Sequence, residues 1–241
     1  MRSLLRTVAP VLTFSALTLA ACSTTSGNLN TSSGAPVSAT AVGAARESGR
    51  TLTQAQLLNA GLQASQWPMD ITRLLGSGSA WKASPPPPSQ LPQVPSACQP
   101  LVELLWGTSG SSAAAYMSFQ RSNGAIVAVM HLASYPHGRA SALFASVRRA
   151  VAGACPGFTE LGQYASLHYK FVPLQGPHLG DKSISFGAMR VADVEFLDRY
   201  DYIQVGAATV LIRQIDVTAA VPPVVPTLLA LQVAKLEAAQ S

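Results

Sequence analysis

The chain has 241 residues, 48% of them hydrophobic and only 11% charged, with sixteen basic against eleven acidic residues and a net charge of +5. Once about 50 N-terminal residues are set aside, what remains is long enough to bury one full core. Removing an N-terminal leader that carries two basic residues lowers the charge to +3, which is too little to attract nucleic acid and excludes that class of partner.

The leader has Arg2 and Arg6 ahead of an apolar stretch from Val8 to Ala20, the pattern of a secretory signal. That stretch runs about 13 residues, whereas a helix crossing a bilayer needs roughly 20, so a permanent span is the weaker reading. It closes on Leu19-Ala20-Ala21-Cys22, which looks like a bacterial lipobox. In such a motif the chain is cut before a cysteine whose thiol has received a diacylglycerol. Residues 1–21 are therefore expected to be a lipoprotein signal peptide and Cys22 the acylated N-terminus; an ordinary secretory signal with a cysteine nearby is the alternative. The chain has three cysteines, and an odd one in an exported protein requires a reason. Lipidation of Cys22 leaves Cys98 and Cys155 as an even pair in an oxidising compartment, where a disulfide persists. It would close a loop of 57 residues and contribute roughly 4 kcal/mol on the chain-entropy model.

Residues 22–50 are Ser, Thr, Gly and Ala with almost nothing to bury, so they are expected to be a disordered tether, holding the body about 30 Å from the bilayer. A single domain is expected over 51–241. It opens with a helix capped by Thr51 or Thr53, carrying Leu57, Leu58 and Leu62 at helical spacing and stopped by Pro68. A short strand is expected around Ile71 to Leu75. Ser84 to Ala97, "SPPPPSQLPQVPSA", must run as extended polyproline II and reads as a stiff connector. Cys98 begins a helix with Leu101, Leu104 and Leu105 toward a core. Two β-rich runs then meet across Asn123-Gly124, predicting a hairpin closed by a type I′ turn. His137 to Gly153 reads as a helix with Ala142, Phe144, Val147 and Val151 buried and Arg148 and Arg149 outside. Beyond Cys155, "SLHYKFVPL" and "DKSISFGAMRVADVEF" alternate as strands, and "RYDYIQVGAATVLIRQI" reads as two strands turning near Gly206. A closing helix from Pro226 carries Val225, Leu229, Val233 and Leu236 on one side. The pattern predicts an α+β fold, a mainly antiparallel sheet with its helices on one face.

Chemistry is sparse. No G-x-S-x-G elbow is present, and "GTSG" at Gly107 to Gly110 has the wrong spacing. A hydrolase would need a nucleophile and base brought together in space, so the expectation is a protein that is not an enzyme. The four histidines lack metal-ligand spacing, and His131 and His168 fall in alternating strands as satisfied or solvent-facing groups. No cofactor or metal is expected. Asp193, Glu195, Asp198 and Asp201 in "DVEFLDRYD" read as a solvated strand edge and turn, with Arg199 available for a salt bridge. Aromatic residues are more suggestive: Tyr164, Tyr169, Tyr200 and Tyr202, with His168 and Arg199 near them, are the candidate ligand-binding residues of a cleft that stacks on a sugar or holds an acyl chain.

The lipobox and tether, Cys98 opening one helix and Cys155 closing the next, "LGDKSISF" at Leu179 to Phe186, and the late "YIQVGAATVLI" together resemble the sensor-domain lipoproteins of actinobacteria. Those are similar to the PknH-like extracellular domain of receptor kinases. The resemblance implies a bent antiparallel sheet with flanking helices and a cleft for an extracellular ligand. Kinase-linked members usually carry two disulfides, whereas this chain can form one, and it has neither a kinase domain nor a transmembrane helix. In "LGDKSISF", Gly180 and Asp181 shape a bend, and Ile184 and Phe186 face away from Ser183 and Ser185. The functional expectation is a lipid-anchored binding or sensor-like protein on the extracytoplasmic side of the cell membrane, capturing a small molecule, lipid or cell-wall fragment. The alternative is a non-catalytic envelope scaffolding lipoprotein acting through a protein partner.

Overall fold

The computed structural model describes residues 49–66, 77–84, 92–106, 110–120, 123–161, 166–191, 195–215 and 226–241. All of them belong to one compact unit, Ala45–Ser241. The leader, Cys22, the tether up to residue 48, the strand expected at Ile71 to Leu75, half of the polyproline run (85–91) and Tyr164 lie outside the described residues.

Helix α1, Gln54–Ala60, starts where Thr53 completes a capping box with Gln56, each side chain bonding the other's backbone N–H. Helix α2, Gln99–Leu105, follows a short 3₁₀ turn at Ser96–Cys98 and has a proline in its first turn, where the missing N–H costs nothing. Helix α3, Arg139–Arg149, continues into a π turn at Ala150–Ala154, where Gly153 takes φ +115°. Its buried side is Ala140, Leu143, Phe144 and Val147; Ala142, expected there, is exposed, because the helix presents the i, i+3, i+4, i+7 set that begins at Ala140. Helix α4, Pro226–Gln240, buries Leu229, Val233 and Leu236 as expected.

Among the described residues, nine strands form one antiparallel sheet: β1 (Ser77–Gly78), β2 (Lys82–Ala83), β3 (Ala113–Gln120), β4 (Ile126–Ser134), β5 (Phe158–Leu161), β6 (Ser166–Leu174), β7 (Lys182–Val191), β8 (Glu195–Val205) and β9 (Ala208–Gln214). Their order is β1-β3-β4-β9-β8-β7-β6-β5, with β2 also paired to β3. The α+β expectation is met. The β3–β4 hairpin is present, but Gln120 pairs with Ile126, so five residues separate the strands and a two-residue type I′ loop is excluded. A register shift at Phe119/Gln120 accompanies the longer turn. The β8–β9 hairpin is the tight one: Val205 pairs with Ala208 around Gly206. The bend at Gly180 is a true close approach, since φ is +61° and an added Cβ would sit 2.4 Å from the Gln204 carbonyl. Asp181 fastens it, accepting from the Gly206 N–H at 2.6 Å.

The helices do not share one face, which corrects the sequence reading. Met117, Phe119, Met130, Leu132, Ile203, Val205, Val210 and Ile212 pack with Leu57 of α1 and Leu228, Leu229 and Leu236 of α4. On the opposite face, Phe158, Tyr169, Phe186, Tyr200, Tyr202 and Leu211 pack with Leu101 and Leu104 of α2 and Phe144 and Val147 of α3. The physical reason is visible in β8: from Asp198 to Val205 every residue is buried, so both faces of this central strand need cover. The same burial overturns the solvated-edge reading of "DVEFLDRYD". Asp198 and Asp201 are 0% and 1% exposed, and each is neutralised by an arginine. Asp193 lies outside the described residues.

Cys98 and Cys155 form the expected disulfide, separated by 57 residues. It ties the start of α2 to the chain leaving the π turn, inside the core cluster of the α2/α3 face. No helix among the described residues is long and apolar enough to cross a membrane.

Candidate functional site

On the α2/α3 face a cavity of about 280 Å³ opens between the end of α2 and strands β4, β9, β8 and β6. It is lined by Leu105, Trp106, Val129, His131, Tyr169, Tyr200, Leu211 and Arg213. Strand alternation explains the set. Val129 pairs with Arg213 and His131 with Leu211, so these four share one face, and Tyr200, opposite Arg213, joins them.

Aromatic contacts stiffen the floor. Tyr200 stacks on Phe186 with centroids 5.0 Å apart, and Phe158 on Tyr169 at 5.2 Å. Trp106, half-buried, meets Tyr169 edge-on at 6.2 Å. Arg213 lies over the Tyr200 ring, 5.9 Å from its centroid, and its Nε and Nη2 both donate to Asp198 Oδ2 at 3.0 and 2.6 Å. Burial works against the charge on Arg213, but the Tyr200 and Asp198 groups beside it more than offset that and raise its pKa. His131 is held by stacking on Tyr116 across the β3–β4 pair, centroids 6.2 Å apart.

Burial, with Arg213 nearby, lowers the His131 pKa from 6.5 to about 4. The imidazole is thus neutral at physiological pH and offers one donor and one acceptor. A histidine that resists protonation in the fold but titrates at 6.5 when unfolded makes stability fall as the pH drops from 6.5 toward 4 and level off below. An NMR titration is expected to show the His131 ring signals moving with a midpoint near 4, and His131→Gln to flatten the pH dependence of the unfolding midpoint across that window. A ring titrating at the ordinary value would overturn the assignment.

Of the candidates read from the sequence, the fold brings Tyr169 and Tyr200 together in this cavity. Tyr202 shares their face but lies under α3, stacked on Phe144 at 5.4 Å and 0% exposed. Its hydroxyl is held protonated far above its usual range, by burial first and by Tyr135 second. His168 and Arg199 point to the other face. His168 is exposed, with Nδ1 2.8 Å from Thr159 Oγ1. Arg199 is buried and forked onto Asp201, with Nε and Nη2 3.1 and 3.0 Å from its two carboxylate oxygens. It also donates to the Gln175 carbonyl at 2.6 Å.

The residues that sequence reasoning missed are Trp106, His131, Arg213 and its partner Asp198. Their signal was present but weak: His131 and Arg213 are the lone titratable groups in the strands "IVAVMHLAS" and "ATVLIRQ", which are otherwise largely apolar. Among the described residues, no group of three His, Cys, Asp or Glu comes together to hold a metal.

The class of protein defined here is an α+β body, an antiparallel sheet covered by helices on both faces, with a mixed aromatic and polar cavity on its α2/α3 face. No family model and no curated protein matches the chain. Among solved structures, the chain is similar to the extracellular domain of PknH from Mycobacterium tuberculosis, with a TM-score of 0.49 and 12% identity, covering 79% of this chain and 97% of that one. It is also similar to an uncharacterized protein from Mycobacterium smegmatis, with a TM-score of 0.39 and 12% identity, covering 70% of this chain and 94% of that one. Neither likeness bears on what the cavity holds.

Proposed function

We propose that the chain is an extracytoplasmic binding protein, anchored by lipid at Cys22, whose sensor-like body captures a small molecule in the cavity between α2 and the sheet. The observation that carries the reading is the cavity itself. Its aromatic floor is rigid, yet His131, with both nitrogens, has no hydrogen-bond partner among the described residues, and a site that leaves polar groups unengaged is built to receive a partner. The Cys98–Cys155 disulfide favours an oxidising compartment, and the leader ending at Cys22 supplies both export and anchor.

The test exposes the full chain to envelope extract and records native and denatured mass spectra. A discrete extra mass, lost on denaturation and absent from Trp106→Ala, is expected. Cys22→Ala is expected to shift the protein from the membrane to the soluble fraction. Extra mass retained in Trp106→Ala would place the ligand elsewhere, and none at all in the unaltered chain would end the binding reading.

A further inference from the structure

Five of the eight cavity side chains carry a nitrogen or oxygen; only Leu105, Val129 and Leu211 are wholly apolar. Covering His131 and Arg213 with an alkyl chain would take their free polar atoms out of water with no partner in return. That disfavours an acyl chain.

Arg213 then sets the charge. Its side chain is 36% exposed while that of Asp198 is 0% exposed, so the cavity meets the cation and not its counter-ion. The guanidinium bonds Asp198 through Nε and Nη2; Nη1 has no partner among the described residues. The free end of a fixed guanidinium suits a planar carboxylate. Asp198 directly behind it leaves little net charge, which disfavours a doubly charged phosphate. Trp106 contributes a half-buried indole to the lining, an apolar face with no hydrogen-bond partner on its N–H among the described residues. Such a face stacks against the C–H side of a sugar ring. At about 280 Å³ the space suits one ring, at the small end of ligand pockets.

We propose that the cavity takes a carboxylate-bearing sugar ring: the carboxylate on the free end of Arg213, a ring hydroxyl on the His131 imidazole, and the C–H face on Trp106. The assignment rests on the reading that this cavity is a binding site, and adds the class of ligand. A neutral imidazole matches a hydroxyl, which both donates and accepts, better than it matches a second anion.

The test titrates the full, disulfide-bonded chain with D-glucuronate, D-glucose, benzoate and octanoate, following the Arg213 Nε–H and Trp106 indole signals by NMR. Glucuronate is expected to shift both signals saturably, with glucose at least about tenfold weaker, the step worth 1.4 kcal/mol. Arg213→Gln is expected to lower glucuronate to the level of glucose. Equal binding of the two sugars would overturn the anion; benzoate or octanoate binding in place of glucuronate would overturn the sugar. The comparison in the unaltered chain decides the matter even if Arg213→Gln does not fold. If no probe moves either signal, the ligand class is wrong. In that case an extra mass from extract that disappears in Trp106→Ala leaves the binding reading standing, and its absence brings both down.

Discussion

Replacing Cys98 and Cys155 together by alanine is expected to lower the thermal unfolding midpoint by about 8–16 °C. The disulfide closes a 57-residue loop, and removing that constraint from the unfolded chain costs about 4 kcal/mol, each kcal/mol moving the midpoint of a domain this size by about 2–4 °C. Both sulfurs lie in the core, Cys98 at 0% and Cys155 at 6% exposure, so alanine avoids burying the hydroxyl that serine would introduce. The consequence reaches the cavity, because the same bond holds α2, and α2 ends on Leu105 and Trp106. Ligand affinity should therefore weaken in the double variant even below its melting temperature. Calorimetry under reducing and oxidising conditions measures the first effect; a double variant within 2 °C of the parent would mean that the bond constrains nothing the fold does not already constrain.

Arg199→Ala is expected to cost about 3–5 kcal/mol, the penalty for leaving a buried carboxylate without its cation. Asp201 is 1% exposed; it accepts two bonds from Arg199 and one from the Ser185 hydroxyl. The loop after β6 depends on the same group, since Arg199 donates to the Gln175 carbonyl. Urea denaturation checks the size, and the paired change Arg199→Met with Asp201→Leu should recover most of the loss, because it removes both charges rather than one. A loss under 1 kcal/mol in the single variant would show that water reaches Asp201. Where Arg199→Ala remains folded, binding in the cavity should be unchanged, since Arg199 faces the other side of the sheet. Arg213→Gln should do the reverse, with a smaller cost in stability because its guanidinium is about one-third exposed and a large effect on the ligand.

These two arginines mark the boundary of what the sequence reveals. Each sits in a strand beside a tyrosine, Arg199 next to Tyr200 in the chain and Arg213 opposite Tyr200 across the β8–β9 pair, and local reading favoured Arg199 because it lies between Asp198 and Tyr200. Alternation alone says that residues 199 and 200 face opposite ways; it does not say which face holds the cavity. That depends on where α2 and α3 settle, and thus on packing between segments about 50 to 100 residues apart in the chain.

By itself, the sequence determined most of the elements and their chemistry: a first helix capped by Thr51 or Thr53, of which the structure selects Thr53, the strands from Ser166 to Gln214, the bend at Gly180 and Asp181, the pairing of Cys98 with Cys155. Those follow from capping, period-two alternation, turn residues and cysteine count, all of which act over a few residues or by simple parity. Tertiary structure alone decided that helices cover both faces, that the acidic stretch around Asp198 is buried, and that Trp106, His131 and Arg213 meet while His168 and Arg199 turn away. The reason is that a strand's pattern names two faces without ranking them. Only the central position of β8, enclosed by neighbours and covered on both sides, turns that pattern into a core, an ion pair and a cavity.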